Sequence, residues 1–182
     1  MIRNLSITIA AALLLTAAAT PLSARAWKPD ARASALDYSQ IVDSRKNGDL
    51  VMVWWVVPDI FPAAPNTKAM HDILSRYTVV GIVHGKSTGG KVAFEPVATL
   101  TIADAMGHKY APLAAAAVPP ALGTALASLQ AMVRQSLGPT GEGVRWFVFD
   151  ASTVHACAPG RFSVPYGGET YVYDTPIPGC AK

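Results

Sequence analysis

The chain has 182 residues, 51% of them hydrophobic, with 15 Lys and Arg against 12 Asp and Glu. That is one domain's worth of sequence, long enough to bury a real hydrophobic core. The charge is nearly balanced, and no run of Lys and Arg interleaves with aromatics. Nucleic-acid binding therefore has no electrostatic footprint, and a basic membrane-surface helix is missing as well.

The N-terminus reads as an export leader. Arg3 gives a positive start, and Leu5 to Ala19 is an apolar run broken by Ser6, Thr8 and Thr16. Ala24-Arg25-Ala26 then supplies the small-x-small pattern of a signal-peptidase site. The run is shorter than the roughly 20 residues a membrane span needs. Cleavage is expected after Ala26, leaving residues 27–182 as a single exported domain, periplasmic or secreted and bacterial in style, with no membrane span. The leader carries Arg3 and Arg25 and no acid, so the net charge falls from +3 to +1 on its removal. No cysteine sits at the cleavage point to carry a lipid.

Trp27 to Leu36 reads as a loose arm. Asp37 followed by Gln40 resembles a capping box and predicts a short helix through Ile41 and Val42 with Gly48 as its C′ residue. The competing reading makes Asn47-Gly48 a hairpin turn. Leu50 to Val57 is apolar at every position, which predicts a strand buried on both faces and ended by Pro58. Pro65-Asn66-Thr67 starts a helix whose buried face is Met70, Ile73, Leu74 and Tyr77. Thr78 to His84 is a strand, and Gly85-Lys86-Ser87 begins the loop after it. Val92 to Phe94 and Val97 to Ala103 are strands separated by Glu95-Pro96. Asp104-Ala105-Met106-Gly107 is a turn. A second helix follows Pro119-Pro120, with a stripe of Leu122, Leu126, Leu129, Val133 and Leu137 and a stop at Gly138-Pro139. Arg134 is its one charged residue, so its outer face is bland enough to pack on another surface. Gly138 to Gly143 reads as a flexible loop. Val144 to Phe149, Arg161 to Val164 and Glu169 to Tyr173 complete the strands, the last two joined through Gly167-Gly168.

These elements predict a mainly β fold: an antiparallel sandwich or strongly curved sheet with two or three packed helices. The alternative is a two-layer α+β arrangement. It is favoured if Leu50–Val57 and Thr78–His84 are parallel and joined by a right-handed crossover through the Asn66 helix.

Few residues carry a chemical signature. Cys157 and Cys180 read as a disulfide clipping the Pro-rich tail to the body, since no Cys-x-x-Cys suggests redox or metal chemistry. Gly85-Lys86-Ser87 is not a phosphate loop, because Gly81 is one residue too close and a strand follows instead of a helix. Gly138-x-x-Gly141-x-Gly143 precedes a strand, the reverse of a dinucleotide loop.

Asp150, Ser152 and His155 are the parts of a nucleophilic triad, although no Gly-x-Ser-x-Gly elbow is present and the three are crowded in sequence. His71, His84, His108 and His155 with Met70 or Met106 could supply soft ligands for copper, but no His-x-His or His-x-x-x-His occurs. His84, at a strand end, and His108, after a turn, are expected on the surface. Tyr166, Tyr171 and Tyr173 fall on the C-terminal hairpin. They either form a platform for a sugar or a partner protein, or pack against the core.

The function read from these residues is a non-enzymatic exported binding or structural module, with no cofactor and an unidentified protein or small-molecule ligand. An extracytoplasmic hydrolase built on Asp150, Ser152 and His155 is one alternative. A periplasmic His/Met metal binder is the other.

Overall fold

A computed structural model describes residues 23–26, 39–58, 65, 67–89, 91–151, 154 and 162–174. The described strands form two sheets, and neither closes into a barrel. The central sheet holds β2 (Gln40–Ser44), β3 (Asp49–Val56), β4 (Thr78–Thr88), β5 (Lys91–Glu95) and β8 (Arg145–Phe149), paired antiparallel throughout. The outer sheet runs β1 (Ser23–Ala26), β10 (Glu169–Tyr173), β9 (Phe162–Tyr166), β6 (Ile102–Ala103) and β7 (Lys109–Tyr110). It is antiparallel except for β1, which lies parallel to β10.

Strand β4 is long enough to serve two partners along one side. Its first half, Thr78 to Ile82, pairs with β8, and its second half, His84 to Thr88, pairs with β5. Its other side carries β3 along nearly its whole length.

Alternation along β3 sorts its side chains between two cores. Val51, Val53 and Trp55 join Val80 and Ile82 of β4 against Phe162, Val164, Tyr171 and Tyr173 of the outer sheet. The Trp55 and Phe162 ring centroids are 4.7 Å apart, and Tyr173 lies within 5.5 Å of both. Such pairs contribute about 0.5–1.5 kcal/mol each beyond their buried area. Met52, Trp54 and Val56 point the other way, toward α1 (Lys68–Leu74) and α2 (Pro120–Leu137). The molecule is thus three layers deep, sheet on sheet on helices, and β3 is buried on both faces as its composition predicts.

The mainly β sandwich with packed helices is the fold observed. The parallel pairing that would favour the α+β alternative is not formed, because β3 and β4 are antiparallel; the arrangement is that of a β-rich α+β fold. Several local readings also change. The capping-box helix at Asp37 is not formed: Gln40 to Ser44 is strand β2, and the competing hairpin turn holds, with Gly48 at φ +86°. β4 continues through Gly85-Lys86-Ser87, which pair with Phe94, Ala93 and Val92 and form no loop. Of the predicted strand Val97–Ala103, only Ile102–Ala103 joins the ladder, while Val97 and Leu100 reach the core from irregular backbone. The segment read as a flexible loop contains a short helix, α3 (Pro139–Glu142), packed closely enough on α2 that Gly141 is buried. Among the described residues no helix is long and apolar enough to cross a membrane.

Candidate functional site

Helices α1 and α2 cover the central sheet unevenly. Leu74 of α1 packs with Leu122 and Ala125 near the start of α2 over Val79 and Val148. Farther along α2, Val133 packs separately over Met52, Val83 and Val144. Between these two contact zones the layers part and leave a half-open groove of about 540 Å³. That size falls within the roughly 300–1,000 Å³ typical of small-molecule sites.

Trp54 and Val56 of β3, with Gln40 and Pro58, form its floor. One wall is Thr67, Met70, His71 and Leu74; the other is Leu129, Met132, Val133, Ser136 and Leu137. Among the described residues no Asp, Glu, Lys or Arg lines it, and His71 is the one ionisable side chain there. Gln40 turns its amide onto the Met52 thioether at 2.8 Å. Met70 and Met132 give the walls flexible, polarizable surfaces that adapt to an irregular guest.

A second cluster bolts the two sheets together at one end. The Arg45 guanidinium donates to Asp43 Oδ2 (3.1 Å), the Gly167 carbonyl (2.8 Å) and the Tyr171 hydroxyl (2.7 Å). Tyr171 in turn donates to Asp43 Oδ2 at 3.1 Å. Burial pushes the Tyr171 phenol up to about 12, although the Arg45 contact pulls against it. Beside it, His84 Nδ1 lies 3.1 Å from the Tyr166 hydroxyl, and His84 Nε2 lies 3.5 Å from Asp49 Oδ1. Partial desolvation works against ionisation of Asp49. Hydrogen bonds from Asn47 and His84 and the Lys86 charge outweigh it and hold the carboxyl below its usual value. These contacts tie β2, β3 and β4 to one another and to the C-terminal hairpin, which suits a clamp better than an open binding surface.

The sequence-predicted residues separate. Tyr171 and Tyr173 share a face, but it is the inner one. Both are buried, with Tyr173 donating to the Val53 carbonyl at 3.0 Å, so they form no exposed platform. Tyr166 is half-buried at the end of the same column. Asp150 is exposed at the end of β8. Ser152, His155, Cys157 and Cys180 lie outside the described residues.

Contrary to expectation, His84 is largely enclosed within β4, at 15% side-chain exposure. His108 is on the surface as expected, next to Asp104 in the predicted turn. The Asp104 carboxylate accepts from the backbone of Met106 and His108 and from the Tyr110 hydroxyl. Desolvation opposes its charge, but these bonds prevail and lower its pKa to about 2. His71 and Met70 stand together on the groove wall, whereas Met106 is fully out in solvent. Among the described residues no group of three or more His, Cys, Asp or Glu is placed to hold a metal ion.

The groove itself was not read from the sequence. Its walls were, since Met70, Leu74, Leu129, Val133 and Leu137 were assigned to buried helix stripes. A stripe that faces a cavity has the same spacing as one that faces side chains. No protein-family model, curated protein or solved structure matches this chain.

Proposed function

We propose that the protein is an exported, non-enzymatic binding module that holds one small, neutral, hydrophobic molecule between its helices and its central sheet. The observation that carries this reading is the groove of about 540 Å³ walled by Trp54, Met70, Leu74, Leu129, Met132 and Leu137. Burying an apolar guest there gains roughly 25 cal/mol per Å² removed from water. A charged guest would lose its hydration and meet no opposite charge among the described lining residues, which select against ions. Gln40, Thr67, His71 and Ser136 can orient a guest by one or two hydrogen bonds. Export follows from the leader read in residues 1–26.

The test is titration with the neutral fluorophore N-phenylnaphthylamine, on wild type and on Ser136→Trp. Ser136 is an exposed position on the groove wall, so the indole fills the site without disturbing the core. Saturable binding at one site, lost in Ser136→Trp at an unchanged melting temperature, supports the reading. Absence of saturable binding to wild type, or equal binding to both proteins, overturns it.

A further inference from the structure

We propose that the outer edge of β10 is a strand-docking site. The leader's own Ser23–Ala26 is its first occupant, and leader removal opens it to an extended segment of a partner protein. This rests on the export reading. It begins from a coincidence of position: β1 pairs with Glu169 through Val172, and its last paired residue, Ala26, immediately precedes the bond expected to be cut. Cleavage therefore removes the strand and leaves its place on the sheet.

The hairpin geometry shows what is left behind. Gly167 and Gly168 both have positive φ, at +57° and +81°, the signature of a two-residue type I′ turn. That turn makes Tyr166 and Glu169 a hydrogen-bonded pair, so Thr170 opposite Pro165 is a non-bonded one. Pro165, which has no N–H to give, fits this register. Glu169, Tyr171 and Tyr173 thus spend their backbone groups on β9. Thr170 and Val172 turn theirs outward to the position β1 holds.

An edge of this kind takes another extended chain readily unless it is blunted by charge, proline or a bulge. Of the stretch that β1 covers, only Glu169 at its start is charged, and Thr170-Tyr171-Val172 carries none of these. The occupant already seated defines the partner: a short extended segment that runs parallel to β10 and is held mainly by main-chain bonds. Such recognition leaves the inner face undisturbed, because the Tyr171 and Tyr173 side chains stay in the core.

The experiment uses the processed protein as recovered from the periplasm. Its N-terminus is first set by intact mass. The probe is a fluorescein-labelled peptide spanning Pro21 to Lys28, read by polarization. The expected result is saturable binding that weakens roughly tenfold or more with a peptide N-methylated at Ala24 and Arg25, and likewise with Thr170→Pro. The methylated peptide keeps the test valid if Thr170→Pro fails to fold.

No binding to protein that begins at Trp27, or equal binding of both peptides, overturns the docking site while leaving export intact. Recovery of a chain still carrying residues 1–26 overturns the export reading and the docking proposal with it. A concentration-dependent dimer that excludes the peptide assigns the edge to a second copy and overturns the partner.

Discussion

Replacing Tyr171 with Phe should cost stability at neutral pH and remove a loss of stability that the wild type suffers at high pH. The hydroxyl of the buried Tyr171 accepts from the half-buried Arg45 at 2.7 Å and donates to the buried Asp43 at 3.1 Å, at the junction between the sheets. Deleting it removes two bonds to charged groups while leaving Arg45 its contacts to Asp43 and Gly167. A cost of about 2–3 kcal/mol follows. For a chain of this size that lowers the melting temperature by about 4–12 °C.

The pH dependence is the sharper part. The Tyr171 pKa is raised from 10 to about 12 in the folded protein. The folded state therefore holds the phenolic proton more tightly than the unfolded chain. Its contribution is complete below pH 10 and disappears as pH climbs through 12. Two units correspond to about 2.7 kcal/mol. Tyr173 is raised well above its ordinary value too, but it is present in both proteins and cancels in the comparison.

Urea unfolding of wild type and Tyr171→Phe at each pH from 8 to 12 should give two curves, separated at pH 8 and converging by pH 12. A separation that stays constant across the range would refute the assignment of the alkaline loss to this phenol.

Asp104→Asn should weaken the acid end instead. Because the carboxyl titrates at about 2, below its ordinary 3.8, its contribution is present above pH 4 and lost as pH falls through 2. The variant should show a flatter stability profile between pH 4 and pH 2 by the same unfolding assay. Gly141→Ala should destabilise by about 1–3 kcal/mol, because an added Cβ would come within 2.6 Å of the Val133 carbonyl, a backbone atom that cannot swing aside. Calorimetry checks it, and a change below half a kcal/mol would mean that α3 shifts freely on α2. Copper or zinc should leave the melting temperature unchanged under the apolar-groove reading, whereas a saturable rise would favour a metal held by His71 and the groove methionines.

The elements legible in the sequence are those whose periodicity is set by burial close at hand. β3 has no polar position at all between Leu50 and Val57, and α2 repeats leucine and valine at helical spacing. The β9–β10 hairpin is announced by paired glycines. β2 was misread because Asp43, its inward-facing polar residue, breaks the alternation that Ile41 starts. Arg45 lies two residues on, but the other partner, Tyr171, meets it only when the C-terminal hairpin arrives from 128 residues away. His84 was placed on the surface for a similar reason: the pairing with β5 that carries β4 onward was invisible to a strand read by its own composition. The groove depends on where α1 and α2 diverge, a matter of helix placement over a sheet that neither stripe encodes alone.

The split ladder of β4 has a consequence for how the chain assembles. Its second half closes onto β5 close by in sequence, with Thr88 paired to Lys91, and can zip as soon as both are made. Its first half must wait for β8, with Thr78 paired to Phe149 some 71 positions on. One continuous strand therefore joins a contact between neighbouring segments to one that closes 71 positions on. Val79 is completely buried only after α2 has been laid down, and Val80 only after the C-terminal hairpin has added the outer sheet. Until then this half of β4 has β3 on one side and an open apolar edge on the other, which makes it a stretch where a stalled chain is exposed to aggregation.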